Sequence, residues 1–285
     1  MDYLELAMLH DQRIFFSDNG TINDLSLNLN DFRNGTEVID YVAAEDYIYI
    51  ASFLPFNHKQ FDVGVVNQTT TAVSVDIWDG STWNAAVDVI DRTSSGGVSL
   101  AQDGVISWST DIDKTWQRER ESVDITGLST APAVYDMYWV RLSWSADFTA
   151  TMSLKFIGQK FSVDTDLYSY YPDLNSTSIQ GAFESGKTDW NDQHYIAAQH
   201  IVRDLKKNDS LISADQIMDF DLFEETAVHA VAMIIYWGLG QFEMHDKAKA
   251  KYEDNLKLGF LNLDMNADGR LEPRERVIRQ GFLTR

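Results

Sequence analysis

Cysteine is absent from the 285 residues, which excludes disulfides, thiolate metal ligands and a cysteine nucleophile. Basic residues are scarce: 23 Lys and Arg stand against 44 Asp and Glu, a formal net charge of −21. Nucleic-acid-binding surfaces meet phosphates with Lys and Arg, so this balance argues against one, and against seating on an anionic membrane. Long apolar runs are missing too. The most apolar stretch, Ala227 to Gly240, contains His229 and falls short of the ~20 residues of a membrane span, so it reads as a buried helix. Met1 opens onto Asp2 and Glu5 rather than a basic, apolar leader, so matches such as Asn34-Gly-Thr36 carry no glycosylation argument.

Recognisable catalytic spacing is also lacking. There is no G-x-S-x-G, no P-loop and no G-x-G-x-x-G after a strand. Gly238-Leu-Gly240 reads as a helix stop and Ser95-Gly-Gly97 as a turn. The six histidines are scattered, and His194 and His200 fall on different faces of one helix rather than at metal-pair spacing. His229, inside the apolar run, reads as a hydrogen-bonded core residue. Carboxylates abound, but no glycosidase-like pair stands out. The expectation is a protein without catalysis.

What is present is enough to fold. A hydrophobic content of 44% with 12% aromatics supplies real cores, and the length suggests about two domains. From about Leu25 to Ile157 the apolar period is two. Leu25, Leu27 and Leu29 alternate with polar residues, as do Phe61, Val63 and Val65, then Val73, Val75 and Ile77. Tyr138, Val140, Leu142 and Trp144 repeat the pattern, followed by Met152, Leu154 and Phe156. Turn signals at Asn34-Gly35, Asp79-Gly80 and Asp103-Gly104 separate the runs. Such strands predict antiparallel sheets in a jelly-roll-like sandwich.

The period then becomes helical. Trp190, His194, Ala197, Ile201 and Leu205 share one face, with Thr188 or Asp189 placed to cap. Ser213-Ala-Asp-Gln216 has capping-box spacing, and a longer helix runs through Ala227, Val231 and Trp237. A last helix carries Tyr252, Leu256 and Phe260. The expected class is therefore α+β multidomain: an N-terminal antiparallel β-sandwich, then a C-terminal α-helical bundle. The expected divisions are an arm or extra strands over 1–40, the sandwich over 41–162 and a linker over 163–187. The helical domain covers 188–262, and an acidic loop with a basic arm covers 263–285.

That acidic loop begins Asp264-Met-Asn266-Ala-Asp268-Gly269-Arg270 and continues through Glu272 to Glu275. Calcium takes six to eight oxygens at about 2.3–2.6 Å, and a 12-residue loop of this spacing supplies them. Asp264, Asn266 and Asp268 offer side-chain oxygens, Arg270 its carbonyl, Glu272 a direct or water-borne oxygen and Glu275 both carboxylate oxygens. The expected use of structural calcium is to stiffen the turn. Beyond it Arg274, Arg276, Arg279 and Arg285 accompany Phe282 and Leu283, a basic and apolar arm suited to docking on an acidic partner. Six tryptophans (Trp78, Trp83, Trp108, Trp116, Trp139, Trp144) crowd the β region. Trp144 reads as core, whereas Trp83, after the Asp79-Gly80 turn, reads as exposed and able to stack on a sugar.

The helical part resembles the head-to-tail connector (adaptor) proteins of tailed bacteriophages. The residues that carry this are Trp190 to Lys207, Thr226 to Gly240, Lys247 to Leu261, the loop from Leu263 to Arg270, and the arm. The β part departs from the all-helical minimal adaptor. In Asp46-Tyr-Ile-Tyr-Ile50, Asp76 to Trp83 and Tyr138-Trp-Val-Arg141 it is similar to sandwiches that some phage neck and tail proteins carry. The resemblance implies a non-catalytic ring of twelve copies in the virion neck, assembled in the host cytoplasm. Its partners would be the portal protein and tail or tail-terminator proteins. DNA would pass the lumen without specific binding, and no membrane is involved. The alternative is a carbohydrate-binding or attachment module of a tail, baseplate or fibre.

Overall fold

The computed structural model describes residues 12–109, 116–207, 213–259 and 264, without the side chains of 258 and 259. They fall into two compact units divided between Gly158 and Gln159. The class is α+β: antiparallel sheets first, helices after.

The first unit holds β1 (Gln12–Asp18), β2 (Thr21–Asp24), β3 (Glu37–Val38), β4 (Tyr47–Ser52), β5 (His58–Val65) and β6 (Val73–Trp78). It continues with β7 (Trp83–Ala85), β8 (Val87–Asp91), β9 (Gly104–Ser109), β10 (Arg118–Glu121), β11 (Tyr135–Trp144) and β12 (Ser153–Gly158). One sheet runs β2-β1-β4-β11-β6-β7, with β10 beside β11, and the other runs β3-β12-β5-β9-β8. Residues 12–40 thus contribute strands, and β1 lies between β2 and β4 within the sheet. One buried cluster draws Ile14, Ile50, Ile77 and Leu142 from the first sheet and Phe61, Ile106 and Leu154 from the second. Each of these side chains contributes ~1.5–3 kcal/mol by leaving water.

Alternation in β6 and β11 follows the apolar pattern of the sequence. In β5 every residue from His58 to Val63 is buried and Val65, expected inward, is exposed; in β12 register shifts put Ile157 rather than Phe156 in the shared cluster. The Leu25–Leu29 stretch is no strand: Ser26–Leu29 is a single helical turn with Leu29 buried and Leu27 exposed. The Ser26 hydroxyl accepts the Ile14 N–H at 2.9 Å, and Asp24 accepts the Ser26 N–H at 2.9 Å. Local side-chain bonds of this kind draw the backbone away from a ladder.

The second unit begins where the sequence showed neither period. Residues 163–187 hold α1 (Asp164–Tyr170), a 3-10 turn at Pro172–Asn175 and α2 (Thr177–Phe183). Three longer helices follow: α3 (Asn191–Lys206), α4 (Asp221–Gly238) and α5 (Phe242–Gly259), with α4 packed against both others. Trp190, His194, Ala197, Ile201 and Leu205 are all buried, as the helical period requires. Trp190 stands at the N-cap of α3 and makes no cap bond with its own side chain, but Asp189 accepts the Asn191 N–H at 3.1 Å. Ser213–Gln216 forms the expected capping box around a 3-10 turn rather than an α-helix. Gly238 has a packing reason to be glycine, because an added Cβ would lie 2.4 Å from the Phe183 ring.

Candidate functional site

Of the expected calcium ligands, Asp264 alone lies within the described residues. It is fully buried. Its N–H donates to the Gln216 carbonyl at 2.9 Å, and its own carbonyl accepts from Gln216 Nε2 at 2.7 Å. Gln216 Oε1 in turn accepts the Ser213 N–H at 3.2 Å, so the start of the acidic loop is tied to the capping box. Asn266, Asp268, Arg270, Glu272 and Glu275 lie outside the described residues, as do Arg274, Arg276, Arg279, Phe282, Leu283 and Arg285. Among the described residues no three His, Asp or Glu side chains converge as a metal site.

The turn between α4 and α5 carries an apolar cap. Trp237 is 62% exposed, Phe242 58% and Met244 36%. The Trp237 and Phe242 rings meet edge-on at 5.5 Å, and His245 lies 5.1 Å from the indole. Contiguous exposed apolar side chains mark contact surfaces more often than singly scattered ones. The sequence hides this cap because its members straddle the Gly238-Leu-Gly240 stop.

On the first sheet, the face turned away from the shared core carries successive cross-strand rows of side chains. In one, Ala51, Trp139 and Trp78 are buried beneath Ile125, Leu128 and Ala131. In the next, register sets Tyr49 beside Arg141 and Arg141 beside Asp76. Arg141 donates to Asp76 Oδ2 through Nε at 3.1 Å and Nη2 at 2.6 Å, with the two side chains 20% and 21% exposed. The guanidinium lies 4.5 Å from the centre of the Tyr47 ring and 4.9 Å from Trp83. Burial pushes the Tyr49 hydroxyl up to about 12, and Arg141 beside it limits the rise. Trp83 Nε1 donates to the Thr126 carbonyl at 3.0 Å, which pins the covering loop. Trp78, Trp108, Trp139 and Trp144 are core, whereas Trp83 and Trp116 are half-buried.

The second unit brings together three residues that sequence spacing did not connect. The Ser162 hydroxyl lies 2.8 Å from His194 Nδ1, and His194 Nε2 lies 3.1 Å from Asp164 Oδ1. Asp164 also accepts from the Tyr168 hydroxyl at 3.1 Å and from the Trp190 N–H at 3.2 Å. Burial disfavours the imidazolium and pulls the His194 pKa down, with Lys160 adding to the fall and Asp164 opposing it. Asp164 stays below the usual carboxylate range: burial opposes this, but the hydrogen bonds from His194, Tyr168 and Trp190 outweigh it. Neutral His194 therefore donates from Nε2 to Asp164 and accepts the Ser162 proton at Nδ1. The residue types are those of a hydrolytic triad, with the ring nitrogens exchanged. Ser162 is 4% and His194 1% exposed, so a substrate carbonyl has no approach to the hydroxyl. The chain of bonds ties α1 to α3.

His229 is likewise held in the core, accepting or donating at 2.9 Å with the Tyr171 hydroxyl and at 3.3 Å with Glu225. The sequence matches no protein-family model and no curated protein. No helix among the described residues is long and apolar enough to cross a membrane.

Proposed function

We propose that the chain is a structural virion protein that forms a ring in the neck of a tailed phage, joining portal to tail and lining part of the DNA channel. The observation that carries this reading is the helical unit. Helices α3, α4 and α5, of 16, 18 and 18 residues, stand in the order and at the positions where the sequence resembles head-to-tail connectors. Asp264 follows them, anchored to Gln216, where the acidic loop begins.

Charge supports the reading. A net charge of −21 suits a channel wall that repels the phosphate backbone and lets DNA slide. The apolar cap of Trp237, Phe242 and Met244 offers a neighbouring copy a surface to bury in a ring of twelve. In this reading the two sheets close face to face as a jelly-roll-like sandwich, supported by the buried cluster that both share. The protein is not an enzyme, and the closed Ser162–His194–Asp164 chain is structural. Calcium, where bound, stiffens the loop after α5.

Arg274, Arg276, Arg279, Phe282, Leu283 and Arg285 then carry docking onto the portal. Deleting Arg276 to Arg285 tests this. Purified portal should no longer capture the shortened chain, while its thermal melting stays unchanged. Undiminished capture would overturn the docking role.

A further inference from the structure

We propose that Asn34 is a site of spontaneous covalent modification: in the folded chain Asn34-Gly35 closes to a succinimide and opens to isoaspartate and aspartate, while Asn19-Gly20 is protected. The two sites share the tripeptide Asn-Gly-Thr, at 19–21 and at 34–36. The residue after the Asn, which chiefly sets the intrinsic rate, is therefore the same in both. A difference between them comes from the fold.

The reaction needs only water. The Gly nitrogen attacks Cγ of the Asn side chain, the N–Cγ bond forms, the Cγ–Nδ2 bond breaks, and ammonia leaves with the amide proton. Water then adds to one imide carbonyl. Opening at Cγ gives aspartate, and opening at the main-chain carbonyl gives isoaspartate, with the chain rerouted through the side chain. Ring closure is favoured by a following residue without a Cβ to crowd the attack, by a nitrogen that no acceptor holds, and by a main chain free to rotate.

Asn34 meets these conditions. It ends the 3-10 turn Phe32–Asn34, and residues 33–36 are all exposed. Among the described residues no acceptor takes the Gly35 N–H. Gly35 has a φ of 114°, with open space where a Cβ would stand. The Asn34 N–H donates to the Asp31 carbonyl at 2.9 Å, but that bond lies upstream of the Cα–C bond that must turn. Nδ2 donates to the Leu27 carbonyl at 2.7 Å, an exposed bond that closure gives up.

Asn19 is equally exposed yet held. Asn19-Gly20 is the turn between β1 and β2, closed by the Asp18–Thr21 pair. Both residues are left-handed, with φ of 44° and 82°, as in a type I′ hairpin. That conformation turns the Gly20 nitrogen away from the Asn19 Cβ, so closure requires the hairpin to open. Asp46 Oδ1 accepts the Asn19 N–H at 2.8 Å, and the Thr130 hydroxyl donates to the Gly20 carbonyl at 3.4 Å. Conversion at Asn34 has a structural consequence too. Isoaspartate lengthens the backbone just ahead of β3, a short edge strand held only by β12, and the bond to Leu27 is lost.

The test is to age the full chain in mildly alkaline buffer, which speeds the attack by ionising the amide, and to map it by mass spectrometry. Trypsin cleavage after Arg13, Arg33 and Lys59 puts the two sites in different peptides, and an unaged sample subtracts conversion during digestion. Electron-transfer fragmentation separates isoaspartate from aspartate. In the folded chain Asn34 should convert about tenfold or more faster than Asn19, because opening the hairpin forfeits at least one hydrogen bond. In denaturant the two rates should converge. Asn34→Gln should abolish the first signal and leave the second unchanged. An Asn34 that stays intact in the folded chain, equal conversion of the two sites in the folded chain, or a difference that persists undiminished in denaturant would overturn the assignment. None of these results bears on the connector reading, which rests on the other unit.

Discussion

His194 Nε2 stands 3.1 Å from Asp164 Oδ1, with the imidazole buried and its other nitrogen 2.8 Å from the Ser162 hydroxyl. If this arrangement is structural, Ser162 is unreactive: a fluorophosphonate probe should label neither the chain nor its Ser162→Ala variant. Ser162→Ala should destabilise the protein by ~1–3 kcal/mol, since it leaves a buried acceptor unpaired. Labelling that vanishes with Ser162→Ala would make the site catalytic.

The same burial predicts acid sensitivity. His194 and His229 are both held below their ordinary 6.5, chiefly by burial. Below 6.5 the unfolded chain takes up protons that the folded chain refuses, so stability falls as pH drops through this window. The melting temperature should decline between pH 7 and pH 5, and His194→Gln should flatten the decline. Asp164 and Asp204 are held below 3.8, which adds a second loss under that pH. A melting temperature independent of pH over the first window would contradict the assignment of two neutral buried histidines.

The fold was legible wherever one face of an element is buried and the other wet. Val140, Leu142 and Trp144 alternate with Arg141 and Ser143 because β11 sits in a sheet with one face in the core. Trp190, His194, Ala197, Ile201 and Leu205 mark the buried face of α3 in the same way. Leu25, Leu27 and Leu29 misled because apolar spacing says nothing of the hydroxyl and carboxylate that bend Ser26 into a turn. The tryptophans were ambiguous for another reason: an indole serves a core and a sugar face equally well, and residue type alone does not choose. Arg141 and Asp76 lie 65 residues apart, so their pairing depends on strand register that the sequence does not state. Ser162, Asp164 and His194 were invisible in the same way, since their meeting requires the packing of α1 on α3.

Asp264 is fully buried, so altering its side chain should destabilise the chain with or without metal. Glu275→Gln is the discriminating change. In excess calcium the unaltered chain should melt higher than in chelator, and the variant should lose that difference while matching it in chelator. Equal melting in calcium and chelator for the unaltered chain would refute the calcium loop.

Trp237 is 62% exposed, so Trp237→Glu should leave monomer stability within ~0.5 kcal/mol, as surface substitutions do. If the α4–α5 cap is a contact between copies, the variant should fail to assemble into rings on the portal. Full incorporation of Trp237→Glu would remove the cap from the assembly surface.

The central claim is a place in the virion, and it is tested most directly by electron microscopy of intact particles decorated with gold-labelled antibody against this chain. The account predicts label at the junction of head and tail. Label confined to fibre or baseplate tips, or absent from every virion, would contradict it.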